Sequence, residues 1–302
     1  MLSIRRAPCW VALTLVLASS SGCRTLSSRG PVPESVASCR QLTQQGTSAM
    51  DRGDWKRAEA LLSRAVQSSG NDADARRYYA EALWQRGART EALVQMQHAR
   101  KLAGEDPNLA VRTGELHLEL GDTQSASQMV NEALRIDPKL ANAWALRGRV
   151  SAAGGQHRAA LADYQRALGY APGDREVGIL IAEAYRQLNE PDRALVSLQT
   201  LAESYSPGDE PQRLLLLEGL ALSALQRYDE ASRVLSAAAY RDRPTSEILY
   251  HLADAEWHAG RLASAQKTLD QCLALDPDHA PSRALRAQMG TVAAATTHAA
   301  AR

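Results

Sequence analysis

ALRIDPKLANAWALRGRV, residues 133–150, holds the end of one helix and the start of the next. ALRI is a helix-forming run. Asp137-Pro138 then stops it, because proline lacks an N–H and disfavours helical backbone in the residue before it. A second run follows at once, with Trp144 and Gly148 spaced as on one helix face. Pro172 and Pro277 mark the same kind of stop elsewhere, and ALDPDHAPSRALRA (274–287) repeats the whole junction.

Outward from that junction the pattern recurs. GDWKRA, GARTEA, GDTQSA, GQHRAA, NEPDRA, QRYDEA and GRLASA end at Ala58, Ala92, Ala126, Ala160, Ala194, Ala231 and Ala265, spaced 34, 34, 34, 34, 37 and 34 residues apart. Twelve residues before each Ala stands a small residue: Gly46, Ala80, Gly114, Gly148, Ala182, Gly219, Ala253. Four residues after it stands an apolar one: Leu62, Met96, Val130, Tyr164, Leu198, Leu235, Leu269. Five of the seven units carry Gly five residues before the Ala: Gly53, Gly87, Gly121, Gly155 and Gly260. These columns predict a helix pair. The Gly lies where the chain reverses, the small columns where paired helices touch, and the apolar column where a second face packs. One pair cannot bury its own apolar face, so neighbours must stack.

The chain resembles the tetratricopeptide repeat family over residues 39–279. In that register the repeats run 39–72, 73–106, 107–140, 141–174, 175–208, 212–245 and 246–279, with three residues inserted around YSPGDEP (205–211). The resemblance implies an all-α fold, a right-handed superhelical solenoid of about seven helix-turn-helix repeats. Residues 280–290 read as a capping helix and 291–302 as a disordered tail. The family implies a concave groove lined by each repeat's first helix. Carried over by position, the candidate partner-binding residues are Arg77, Glu81, Trp84, Val111, Glu115, Leu118, Arg149, Ile179, Glu183, Arg186, Leu216, Tyr250, Asp254 and Trp257. The mix is acidic and apolar with scattered Arg, and suits a peptide or helix with apolar anchors and some positive charge. The Lys and Asn set with which relatives clamp chaperone C-termini is missing from the first three repeats.

The N-terminus reads as targeting. Arg5 and Arg6 precede an apolar run, WVALTLVLA (10–18), too short to span a bilayer and of signal-peptide length. Ser21-Gly22-Cys23 resembles the lipobox of bacterial lipoproteins, with Ser20 where that family usually has Leu. The expectation is a signal peptide over 1–22, a lipidated Cys23, and a flexible linker to 38 with a reach of roughly 20 Å. The alternative is cleavage near Ala18-Ser19-Ser20 and a soluble exported protein. Without residues 1–22 the charge becomes 33 − 34 = −1, from 35 basic and 34 acidic residues in the whole chain. Neither value draws the protein to nucleic acid. Cys39 and Cys272 fall at opposite ends of the solenoid and read as free thiols.

Catalysis finds little support. Ser264-Ala265-Gln266-Lys267 matches SxxK but straddles the aligned Ala. His251, Asp254 and His258 share one helix and are more readily a packed or solvated cluster than a metal site. No catalytic residue, metal or cofactor is expected. The reading is a non-enzymatic protein-interaction scaffold, tethered by lipid to the cell envelope, with unidentified protein partners. A metal-dependent or hydrolytic enzyme is the lesser alternative.

Overall fold

The structure, a computed structural model, describes residues 33–300, with side chains described as far as residue 291. Cys23, the lipobox and the signal segment lie outside the described residues. Among the described residues there are fifteen helices and no strand. They are α1 (Glu34–Asp51), α2 (Trp55–Ser68), α3 (Ala73–Gln85), α4 (Arg89–Ala103), α5 (Pro107–Glu119), α6 (Thr123–Ile136), α7 (Ala141–Ala153), α8 (His157–Tyr170), α9 (Arg175–Gln187), α10 (Pro191–Ala202), α11 (Gln212–Ala224), α12 (Tyr228–Arg241), α13 (Ser246–His258), α14 (Leu262–Leu275) and α15 (Ala280–Ala300). Odd and even helices pair as hairpins, and each hairpin packs on the next.

The turn inside every hairpin has one construction. A single residue takes the left-handed conformation, and the next residue donates its N–H to a carbonyl five positions back. Examples are Asp54 to Ala49, Ala88 to Leu83, Gln156 to Ser151 and Arg261 to Glu256, all at 2.8–3.0 Å. This is the Schellman closure of a helix C-terminus. Gly53, Gly87, Gly121, Gly155 and Gly260 adopt positive φ, as their column requires. In the fifth and sixth hairpins Asn189 (φ 58°) and Gln226 (φ 59°) take the same place and make the same closure. The residue after it opens the next helix, and Asp54 and Asp122 cap that helix with their carboxylates.

The small column is where the two helices of a hairpin meet. A Cβ added at Gly148 would lie 2.3 Å from the Tyr164 ring, and one at Gly46 or Gly219 would lie 2.5 or 2.4 Å from the Cγ of Leu62 or Leu235. The column and its apolar partner are therefore one contact, with the large residue of the second helix seated on the bare backbone of the first. Tyr164 is buried there, and burial pushes its phenol up to about 12. Trp144 fixes the junction before this hairpin. Its indole N–H donates to the Pro138 carbonyl (2.8 Å), and the guanidinium groups of Arg147 and Arg166 both lie over its ring.

Two details differ from the sequence reading, at the start of α1 and the end of α15. α1 begins at Glu34, so residues 34–38 are helix and not linker. Pro33 sets the entry, Glu34 complements the helix dipole, and Cys39 is buried against Ala65 and Ala75. α15 continues past residue 290 to Ala300, through an Ala-rich stretch of high helix propensity. The insertion at 205–211 is tied down: Glu210 accepts from the Gly208 amide and from Arg241 (2.9 Å), and Arg175 stacks on Tyr205. Glu210's own amide, with that of Gly208, holds that carboxyl below its usual range. Cys39 and Cys272 are both free and buried.

Two substitutions test this construction. Gln226→Gly relieves a non-glycine residue of a left-handed backbone and raises stability by about 1 kcal/mol. Gly148→Ala overpacks the Tyr164 contact and lowers it by roughly 1–3 kcal/mol. Urea unfolding of the two variants beside wild type reads both signs.

Candidate partner-binding groove

First helices also touch first helices of the next hairpin: α1 with α3, α5 with α7, α9 with α11, α11 with α13, and α13 with α15. No such contact joins the second helices to any comparable extent. At these junctions the odd helices come closest, which puts them on the inner side of the curve and the even helices on the outer side.

Several charges of that inner face are paired between hairpins. Arg112 on α5 forms a two-pronged bond to Glu81 on α3 (Nε to Oε1 2.6 Å, Nη2 to Oε2 2.7 Å) and a third to Glu115 on its own helix (2.8 Å). Glu115 lies 3.9 Å from Arg149 of α7. Further along, Arg213 of α11 reaches back to Glu176 (2.6 Å) and Glu183 (2.9 Å) of α9. Each bond joins neighbouring hairpins. Arg112 was not among the residues expected from sequence. Its signal is an acid and an arginine one repeat less three residues apart, as in Glu81/Arg112, with Glu183/Arg213 close to it.

Of the expected site residues, Val111 and Ile179 are corrections. They are 2% and 4% exposed and belong to the cores between hairpins, Val111 with Val130 and Leu146, Ile179 with Leu198 and Leu214. Neither is open to a partner, because side chains of the neighbouring helices cover both. Trp84, Leu118, Leu216, Tyr250 and Trp257 are half-buried, with one flank packed on the core. Arg186 is exposed, and Arg77 pairs with Asp74 on its own helix (3.2 Å). Asp254 lies 3.4 Å from the His258 ring, which stacks on Tyr228. Among the described residues no group of three His, Cys, Asp or Glu is arranged to hold a metal, and no helix is long and apolar enough to cross a membrane. Ser264 and Lys267 lie on α14, on the outer side.

What this face offers is a set of half-buried apolar side chains, separated by carboxylates and guanidinium groups that neutralise each other. His251 adds a titratable group. Burial holds its pKa below 6.5, against weaker opposing pulls from Glu247 and Asp254.

Models described as tetratricopeptide repeat match residues 43–110 and, separately, 83–150, 152–216 and 222–289. No curated protein matches the sequence. Among solved structures, a tetratricopeptide repeat protein from Parabacteroides merdae aligns with a TM-score of 0.64 at 16% identity, over 84% of this chain and 99% of its own. The structure of Pseudomonas aeruginosa pilF aligns with a TM-score of 0.60 at 17% identity, over 73% and 99%. YrrB, described as a TPR protein with an unusual peptide-binding site, aligns with a TM-score of 0.51 at 19% identity, over 63% and 97%. At these identities the likeness is one of fold.

Arg112→Ala strands the Glu81 and Glu115 carboxylates and lowers the melting temperature by several degrees, about 1–2 kcal/mol, whereas Arg112→Lys recovers part of it. His251 predicts a pH effect of defined sign. Its depressed pKa leaves stability intact above pH 6.5 and erodes it as pH falls through the folded value. Melts between neutral and mildly acid pH show that slope in wild type and a smaller one in His251→Gln.

Proposed function

Because this chain belongs to the tetratricopeptide repeat family, we propose that it is a non-enzymatic interaction scaffold whose inner face holds a peptide or helix of a partner protein. The observation that carries this reading is the row of half-buried Trp84, Leu118, Leu216, Tyr250 and Trp257 beside the paired charges of Arg112 and Arg213. A partner gains affinity there by covering apolar flanks. Its own charges must match a nearly neutral surface, so the positive charge expected of the partner matters less than its apolar anchors.

The proposal places the protein in the bacterial cell envelope, held by a lipid on Cys23 and facing the periplasm. The support is sequence alone: Arg5-Arg6, the apolar run 10–18 and Ser21-Gly22-Cys23. One acyl chain binds a membrane only marginally, whereas the diacylglyceryl group of a lipoprotein with its further chain anchors durably. A soluble periplasmic adaptor is the second reading, favoured by Ser20 in the lipobox. The process served is the assembly of envelope, secretion or pilus components.

Metabolic labelling with a fatty-acid analogue tests the anchor: wild type is labelled and Cys23→Ala is not, while an unlabelled wild type removes the tether. Crosslinked pull-down from native envelopes tests the face. Wild type retains a partner that Leu118→Asp/Leu216→Asp loses while its melting curve stays cooperative. A partner kept by the double variant moves the site off the inner face.

A further inference from the structure

The junction between the second and third hairpins is built unlike the others. First helices come close at most junctions, but α3 and α5 barely do, nor do α7 and α9. Between α7 and α9 an aromatic core makes up the difference, with Trp144 and Tyr164 packed against Val177 and Ile181. Between α3 and α5 the shared core is smaller: α5 brings Leu109 and Leu116 against Ala80 and Met96. Beside it a crevice of 240 Å³ stays open on the inner side, between Tyr78 and Glu81 of α3 and Asn108, Leu109 and Arg112 of α5. Of all places where a second helix meets the first helix of the next hairpin, α4 and α5 meet least.

The connecting chain is loose at the same place. Twelve residues after the aligned Ala, other repeats have Pro138, Pro172 and Pro277, and the second repeat has Gly104. Gly104 takes φ 72° and ψ −133°, and a Cβ added there would touch nothing. Neither a ring nor packing stiffens this link; Pro107 comes three residues later, as the first residue of α5. Ion pairs take the place of apolar contact. Arg112 of α5 holds Glu81 of α3 with two bonds, and Nη1 of Arg100 on α4 reaches both carboxylate oxygens of Glu132 on α6 (2.7 and 2.9 Å). Among the described residues no other junction pairs first helix with first helix and second with second in this way. The Nε–H groups of Arg77 and Arg100, buried without a hydrogen-bond partner, lie at this junction too.

We propose that this junction is a hinge held shut by an ionic clasp. Hairpins one and two swing as one body against hairpins three to seven, about Gly104. Arg112–Glu81 is the inner half of the clasp and Arg100–Glu132 the outer half. Their side chains are 23–29% exposed, so dissolved ions reach and weaken both pairs. Once they part, the contact of Leu109 and Leu116 with Ala80 and Met96 is left to hold the angle. The swing changes the separation of Trp84 on α3 and Leu118 on α5, and with it the curvature of the inner face. The hinge belongs to the chain itself and stands whether or not that face holds a partner. A partner that spans both residues selects one curvature.

Ala60, Gln128 and Val196 share one column of the repeat and are exposed on α2, α6 and α10, each two hairpins from the next. Spin labels on ketone-bearing residues at these places spare the native cysteines, and electron–electron resonance reads the distances. The Ala60/Gln128 pair spans the hinge and the Gln128/Val196 pair does not. In Glu81→Gln/Glu132→Gln the first distance distribution is expected to widen about twofold or more while the second keeps its width. Wild type moves the same way between about 0.05 M and about 1 M KCl, and helical circular dichroism holds throughout. A first distribution of unchanged width in the variant overturns the proposal. Equal widening of both pairs also does, since the solenoid is then elastic along its whole length. Widening with loss of helical signal does so too, because the first hairpins then unfold instead of swinging.

Discussion

The structure depends on the distance at which two helices of a hairpin pass each other. At Gly46, Gly148 and Gly219 the first helix offers bare backbone, and a Leu or Tyr of the second helix lies against it. Where the first helix carries Ala, the partners are Met96, Leu198 and Leu269. In the third hairpin Val130 is small, and Leu146 of the following hairpin comes within 2.9 Å of where a Gly114 Cβ would lie. The contact is kept by trading volume between the two sides, as dense packing demands. Hairpins closed this tightly have the same shape, and identical shapes stack into a regular curve.

Curvature then decides what the surface can do. First helices crowd together on the inner side, which brings Arg112 within reach of Glu81 and Arg213 within reach of Glu183. The part-buried, two-pronged Arg112–Glu81 pair holds neighbouring hairpins in register better than exposed single bonds do. Such pairs also remove the field that a row of free carboxylates would project. Recognition on this face rests mainly on shape and apolar contact.

Much of this was legible in the sequence. The aligned Ala, the small column and the Gly turns are each a local requirement of one hairpin repeated seven times, so noise in one copy is corrected by the others. Asn189 and Gln226 break the Gly column without breaking the turn, since the closure needs a left-handed residue and the cost of a side chain there is small. The site was less legible. Val111 and Ile179 share nominal inner-face positions with polar residues of other repeats, but a helix offers no sharp border between faces, and packing drew them inward. Arg112 escaped notice because its role lies in contacts between repeats, which no single repeat displays. The start of α1 at Glu34 was hidden by the Ser- and Pro-rich composition just before it.

The central claim is that the inner, first-helix face is where a partner is held. Site-specific photocrosslinking in living cells tests it most directly, with a photoreactive residue at Leu118 or Leu216 on first helices, or at Tyr170 or Val196 on exposed outer positions of α8 and α10. The account predicts a discrete adduct from Leu118 and Leu216 and none from Tyr170 or Val196. Adducts from the outer pair alone would contradict it.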